Sequence, residues 1–210
     1  MAEMIKKRYR ANAKTYKFFI FLILFITMLI LFIHFGTKDW EKEIEVVSDN
    51  IHFINDYPSI DKSNIFIYKK PVEIQEILKT GTGLVFFCTP KNDWCHAYAE
   101  ILNDTAKEAG IKEIYYYDIN TARIKGNQVY KDFLKTLDEV IMKDDEANKK
   151  LYLPALFVVK DGRIVGYNYE TAITVGNETA INYWNIERII EFREKLNNLY
   201  SHIIEVEVAE

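Results

Sequence analysis

From Phe18 to Phe35 the chain reads FFIFLILFITMLILFIHF, an apolar run broken only by Thr27 and His34 and free of formal charge. As a helix rising about 1.5 Å per residue it reaches about 27 Å, close to the roughly 30 Å hydrocarbon core of a bilayer. The run predicts a transmembrane helix over 18–36, against the alternatives of a cleaved signal peptide or a buried core helix. A cleavable signal has an apolar region of about 7 to 15 residues and a small-residue cleavage site. Gly36-Thr37-Lys38-Asp39 offers no such site. Residues 37–62 turn polar and mixed, with Asp56-Tyr57-Pro58 as a turn signal, and are read as a stalk.

Beyond the stalk, short apolar runs alternate with helical periodicity. Ile65 to Tyr68 suits a strand, and Val72, Ile74, Ile77 and Leu78 recur at helical spacing up to Gly81-Thr82-Gly83. Leu84 to Cys88 (LVFFC) is a continuous apolar run of the kind found in a strand covered on both faces, so it is expected at the sheet centre. A helix is predicted from about Asn92 to Ala109, with Cys95, Tyr98, Leu102 and Ala106 along one stripe and Gly110 ending it. Glu113 to Asp118 (EIYYYD) reads as a strand with its tyrosines in the core, and Val129 to Ile141 as a helix. Leu153 to Val159 and Arg163 to Gly166 read as strands joined by the hairpin turn Asp161-Gly162. An amphipathic helix from Tyr183 to Tyr200, with Ile186, Ile189, Ile190 and Leu196 inward, completes a βαβαβαββα order.

Charge adds a direction. Residues 1–37 hold Lys6, Lys7, Arg8, Arg10, Lys14 and Lys17 against Glu3 alone, a balance of +5 that leaves −9 for the rest of a chain whose net charge is −4. The positive-inside rule places residues 1–17 in the cytoplasm and everything after the span outside the cell membrane. An acidic ectodomain is a poor match for nucleic acid. No Gly-rich phosphate loop, Ser/His/Asp constellation or second Cys/His pair appears, so no nucleotide, cofactor or metal is expected.

Three features carry a resemblance to the thioredoxin superfamily over about 140 residues: LVFFCTPKNDWC, where a buried strand runs into a helix start; LPALFVVKDGRIVG, similar to the strand-turn-strand after the family's cis-proline, with Pro154 at the matching position; and the closing helix. Within the superfamily the chain looks most like membrane-anchored thioredoxin-like proteins of Gram-positive bacteria, some described as bacteriocin-transport accessory proteins. The resemblance implies a thioredoxin-like α/β fold over 63–200, a mixed central sheet flanked by helices, followed by an acidic tail over 201–210.

The family's C-x-x-C pair is absent. Its place at a helix start has a physical reason, since the partial positive charge and free N–H groups there stabilise a thiolate. The two cysteines here are Cys88 and Cys95. In a gapless register Asn92 stands at the attacking position and Cys95 at the resolving one. A second register matches Trp94-Cys95 to the family's W-C, makes Cys95 the attacker, and needs a three-residue insertion. Asn92 and Asp93 are both good N-caps, which favours the gapless register. Cys88 and Cys95 either pair in a disulfide or remain two small buried thiols. By resemblance Trp94 forms an exposed rim, the alternative being partial packing against the loop, and Leu153 and Pro154 lie beside the site where a partner's extended chain binds. His96 is read as a surface residue. Two functions follow: a membrane-tethered thiol-disulfide oxidoreductase using Cys95 and Cys88, or a non-catalytic binding or accessory protein. The partners implied are exported or cell-envelope polypeptides, or a redox partner protein.

Overall fold

The computed structural model describes residues 16–28, 48–171, 176 and 178–204. The chain divides into two units, Met1–Val46 and Val47–Glu210. In the first, residues 16–28 form a helix, α1, whose apolar side chains from Phe18 to Met28 are all exposed. Among the described residues no helix is long and apolar enough to cross a membrane. The span expected over 18–36 lies in part outside them, as do most of the basic N-terminus and of the acidic tail.

The second unit is an α/β domain with a mixed five-stranded sheet flanked by helices. Its strands are β1 (Phe66–Tyr68), β2 (Gly83–Cys88), β3 (Ile114–Asp118), β4 (Ala155–Lys160) and β5 (Arg163–Asn168), in spatial order β1-β3-β2-β4-β5. β1 and β2 both run parallel to β3, whereas β4 runs antiparallel to β2 and to β5. The run Leu84 to Cys88 is wholly buried at the sheet centre, as a strand covered on both faces must be.

Side chains alternate across a strand, so Phe86 and Phe87 report the two faces. Phe86 stacks on Tyr98 of α4 (Asp93–Glu108) at 5.4 Å between ring centroids. Phe87 meets Phe133 of α6 (Gln128–Thr136) edge-on at 5.0 Å. The α4 face also receives α8 (Ile186–Tyr200), through Phe192 against Tyr98 at 4.7 Å. On the α6 side, α3 (Pro71–Thr80) is tied to α6 by the Thr136 hydroxyl donating to Gln75 Oε1 at 2.8 Å. A short helix α5 (Asn120–Lys125) precedes α6, and a single turn α7 (Ala180–Tyr183) precedes α8.

Local chemistry sets these boundaries. Asn92, Asn127 and Asn185 each cap a helix by accepting a backbone N–H, from Trp94, Tyr130 and Arg188 respectively. Gly110, with φ +83°, follows α4 in the left-handed conformation that stops a helix. The Asp161-Gly162 turn has positive φ at both residues, the backbone a two-residue hairpin needs. Gly162 is required on a second count, because an added Cβ would lie 2.0 Å from the Lys79 carbonyl oxygen.

Four expectations are corrected by the packing. The segment read as a stalk contains helix α2 (Asp49–Asp56), whose Phe53 stacks on Phe66 at 3.8 Å, and Tyr57 and Ile60 also join the core. The apolar positions 51, 53, 54 and 57 are too few to read as an amphipathic helix, but they suffice to cover the β1–β3 edge of the sheet. The helix expected over Val129 to Ile141 ends at Thr136, with Leu137 and Ile141 still buried in the turns that follow. The inward stripe of α8 is Phe192, Leu196 and Tyr200, one per turn, while Ile186 and Ile190 are exposed. Val72 likewise points outward, leaving Ile74 and Leu78 as the buried side of α3.

Candidate functional site

Cys88 ends β2 on the same side as Phe86, the side covered by α4, because the two are separated by one residue in a strand. Cys95 is the third residue of α4, in its first turn and turned inward with Tyr98 and Leu102. These placements bring the two Cα atoms to 5.8 Å, and the cysteines form a disulfide. The separation falls inside the roughly 4.4 to 6.8 Å window that the bond requires. Both residues are 0% exposed. The Thr89 N–H donates to Cys95 Sγ at 3.4 Å, which orients the bridge from the loop side.

Asn92 caps α4, and its carboxamide is used twice: Oδ1 accepts from the Trp94 N–H at 3.0 Å, and Nδ2 donates to the Leu153 carbonyl at 3.3 Å. The Leu153–Pro154 peptide bond is cis, and both residues are buried. The backbone carbonyl beside the helix start is thus already satisfied by the Asn92 side chain. His96 is half-buried rather than free on the surface: its Nε2 donates to the Pro90 carbonyl at 2.8 Å, and its ring lies 4.9 Å from that of Tyr57. A carbonyl partner fixes the ring proton on Nε2.

Trp94, expected on an exposed rim, is only 7% exposed. It packs with Ala180, Tyr183 and Trp184 in a small cluster, with the Tyr183 and Trp184 rings at 5.1 and 6.1 Å, and Trp184 links that cluster to Phe192 of the main core. The physical reason is that α7, the turn that precedes α8, lies against α4. Behind this cluster lies Glu170, itself buried. It accepts from the Tyr183 hydroxyl, from Lys195 Nζ at 3.1 Å and from Asn168 Nδ2 at 3.3 Å. Burial, and then the hydrogen bond it donates to the Glu170 carboxylate, push the Tyr183 hydroxyl well above the ordinary tyrosine range. It is a neutral donor at every physiological pH.

The structure thus joins Cys88, Cys95, Asn92, Leu153 and Pro154 at one end of the sheet and covers Trp94 with residues that periodicity did not single out. Of these, the Tyr183-Trp184 pair left an aromatic signal just ahead of an Asn-capped helix, whereas Glu170 left none. Among the described residues no group of three His, Cys, Asp or Glu side chains is arranged to hold a metal. The cavity between α3, α6 and the β4–β5 turn, of about 590 Å³ and bordered by Gln75, Lys79, Lys135 and Gly162, includes none of the cysteine-site residues. No protein-family model, curated protein or solved structure matches this chain.

Proposed function

We propose that this is a thioredoxin-like domain tethered outside the cell membrane, in which the cysteine pair is a structural cross-link and the protein acts as a non-catalytic binding or accessory factor for exported polypeptides. The observation that carries the reading is the pairing of Cys88 with Cys95, both at 0% exposure, with Asn92 at the helix start. Thiol-disulfide exchange begins with a thiolate attacking a sulfur along the S–S axis. Here the helix start presents a carboxamide, and neither sulfur is open to an incoming thiolate. The fold assignment is supported by the LPALFVVKDGRIVG hairpin after a cis-proline, by the parallel pairing of β3 with β1 on one side and β2 on the other, and by the central strand leading into α4. The tether is supported by the uncharged run Phe18 to Phe35 and by the exposed apolar side chains of α1, a surface that water does not favour.

The test is the thiol state of the full-length protein in detergent, read by alkylation and mass spectrometry in glutathione buffers of defined potential. A structural pair stays oxidised to below about −300 mV. A pair that titrates reversibly near −200 mV, within the rough range of oxidising compartments, would instead establish an oxidoreductase.

A further inference from the structure

The Trp94 surface is occupied by the protein itself, and the occupant shows what the surface accepts. The Tyr183 ring lies against Trp94 at 5.1 Å between centroids, with the Arg188 guanidinium 5.5 Å from the Tyr183 centroid. The Tyr183 hydroxyl reaches Glu170, a carboxylate already held in place by Lys195 and Asn168. An aromatic wall, a cation over the ring and a fixed acceptor at the hydroxyl together select a phenol over a phenyl or an aliphatic group.

The segment that delivers Tyr183 is lightly held. α7 is a single turn of four residues, and Ile181 on its outer side is 90% exposed. Ala180 and Tyr183 belong to a cluster separate from the main core, and only Trp184, at the end of the strap, also reaches that core, through Phe192 at 5.0 Å between ring centroids. α8 is anchored by Leu196 and Tyr200 and by Phe192 against Tyr98, so displacing the strap costs it the Trp184–Phe192 contact but leaves those anchors in place. Small satellite clusters of this kind open locally at less cost than global unfolding.

We infer that the Trp94–Arg188–Glu170 clamp is a recognition site for a tyrosine-bearing segment of a partner polypeptide, held closed in cis by Tyr183 until the partner displaces the Ala180–Trp184 strap. The inference rests on the binding reading above, since it supplies that reading with its site and its selectivity. A partner must compete with a ligand tethered a few residues away, so the resting protein binds free peptide weakly.

The test uses full-length protein in detergent and a fluorescein-labelled peptide copying residues 178–187, alongside versions of the peptide with Phe or Ala in place of its tyrosine. Tyr183→Ala empties the clamp. It is expected to bind the tyrosine peptide at least roughly 10-fold more tightly than the wild type does, and roughly 10-fold more tightly than it binds the Phe peptide, the effect of one hydrogen bond to a charged group. Adding Glu170→Leu, which removes the acceptor, abolishes the preference for tyrosine over Phe. Hydrogen exchange of the Asn182, Tyr183 and Trp184 amides is expected to outpace that of β2. A Tyr183→Ala protein with protected β2 amides that binds all three peptides as weakly as the wild type overturns the proposal, as does a strap that exchanges only by global unfolding. If Tyr183→Ala fails to fold, Tyr183→Phe keeps the ring and weakens only the latch. Faster strap exchange and tighter peptide binding support the clamp, and no change in either overturns it. The two readings fail separately. A disulfide that cycles with glutathione removes the non-catalytic assignment but leaves peptide selectivity standing, whereas an inert disulfide with no selective binding removes the clamp alone.

Discussion

Breaking the Cys88–Cys95 bond is the perturbation whose outcome the structure constrains most closely. The bridge closes a loop with a sequence separation of 7. In the chain-entropy description such a short loop stabilises the fold by about 2.4 kcal/mol, through the conformations it removes from the unfolded chain. Nothing else holding the two ends depends on it. β2 is hydrogen-bonded to β3 on one side and β4 on the other, and α4 keeps Tyr98, Leu102 and Ala106 in the core. Reduced protein should therefore remain folded, with a midpoint lowered by roughly 5 to 9 °C for a domain of this size. The assay is urea and thermal unfolding of full-length protein, oxidised and in excess tris(carboxyethyl)phosphine, followed by tryptophan fluorescence. Burial adds a kinetic expectation: under native conditions dithiothreitol reduces the bond only as fast as the domain opens, and urea accelerates reduction steeply. Equal stability of the two forms within about 0.5 kcal/mol, the scale of an inconsequential change, would refute the entropic reasoning. Reduction of the native protein at the rate of the unfolded chain would refute the inaccessibility on which the non-catalytic reading stands.

Placing a thiol at the start of α4 with Asn92→Cys, in a Cys88→Ala background, should create a reactive group with a pKa below the ordinary cysteine value of about 8.5, because the helix N-terminus favours the thiolate. Iodoacetamide labelling against pH reads it, and a slow thiol with an ordinary pKa would show that the position is not suited to attack. Gly162→Ala sets a Cβ against the Lys79 carbonyl and forces a residue with φ +71° into strain, so it should cost at least about 2 kcal/mol in urea unfolding; a neutral result would mean that the β4–β5 turn does not press on α3. Burial raises the hydroxyls of Tyr57, Tyr98, Tyr116 and Tyr200 far above the ordinary range. The native state then keeps protons that the unfolded chain releases above about pH 10, so stability is full below that pH and falls above it by about 1.4 kcal/mol per pH unit for each such tyrosine. Urea titrations at pH 8 and pH 11, with tyrosinate absorbance at 295 nm, check the sign; tyrosinate appearing before unfolding would contradict it.

Features that depend on neighbours in the chain were readable from residue order alone. The uninterrupted LVFFC run marks the central strand, Asn92 the start of α4, Gly110 its end and Asp161-Gly162 the hairpin, because caps, turns and two-sided burial are local demands met by particular residue types. Asn92, Cys95 and Pro154 were singled out together by the thioredoxin resemblance, with the capping preference of Asn92 as the one local signal beside it. Their environment was not legible. Whether two cysteines seven positions apart can bond depends on the sheet face that Cys88 shares with Phe86 and on the seating of α4 against that face. Likewise, the burial of Trp94 depends on a strap nearly ninety positions later in the chain, and the α2 residues find their cover only once β1 and β3 lie side by side. A pattern of apolar positions says that a side chain needs company. Only the tertiary structure decides which company, because the contacts that bury Trp94 and Phe53 and close the disulfide lie across the fold.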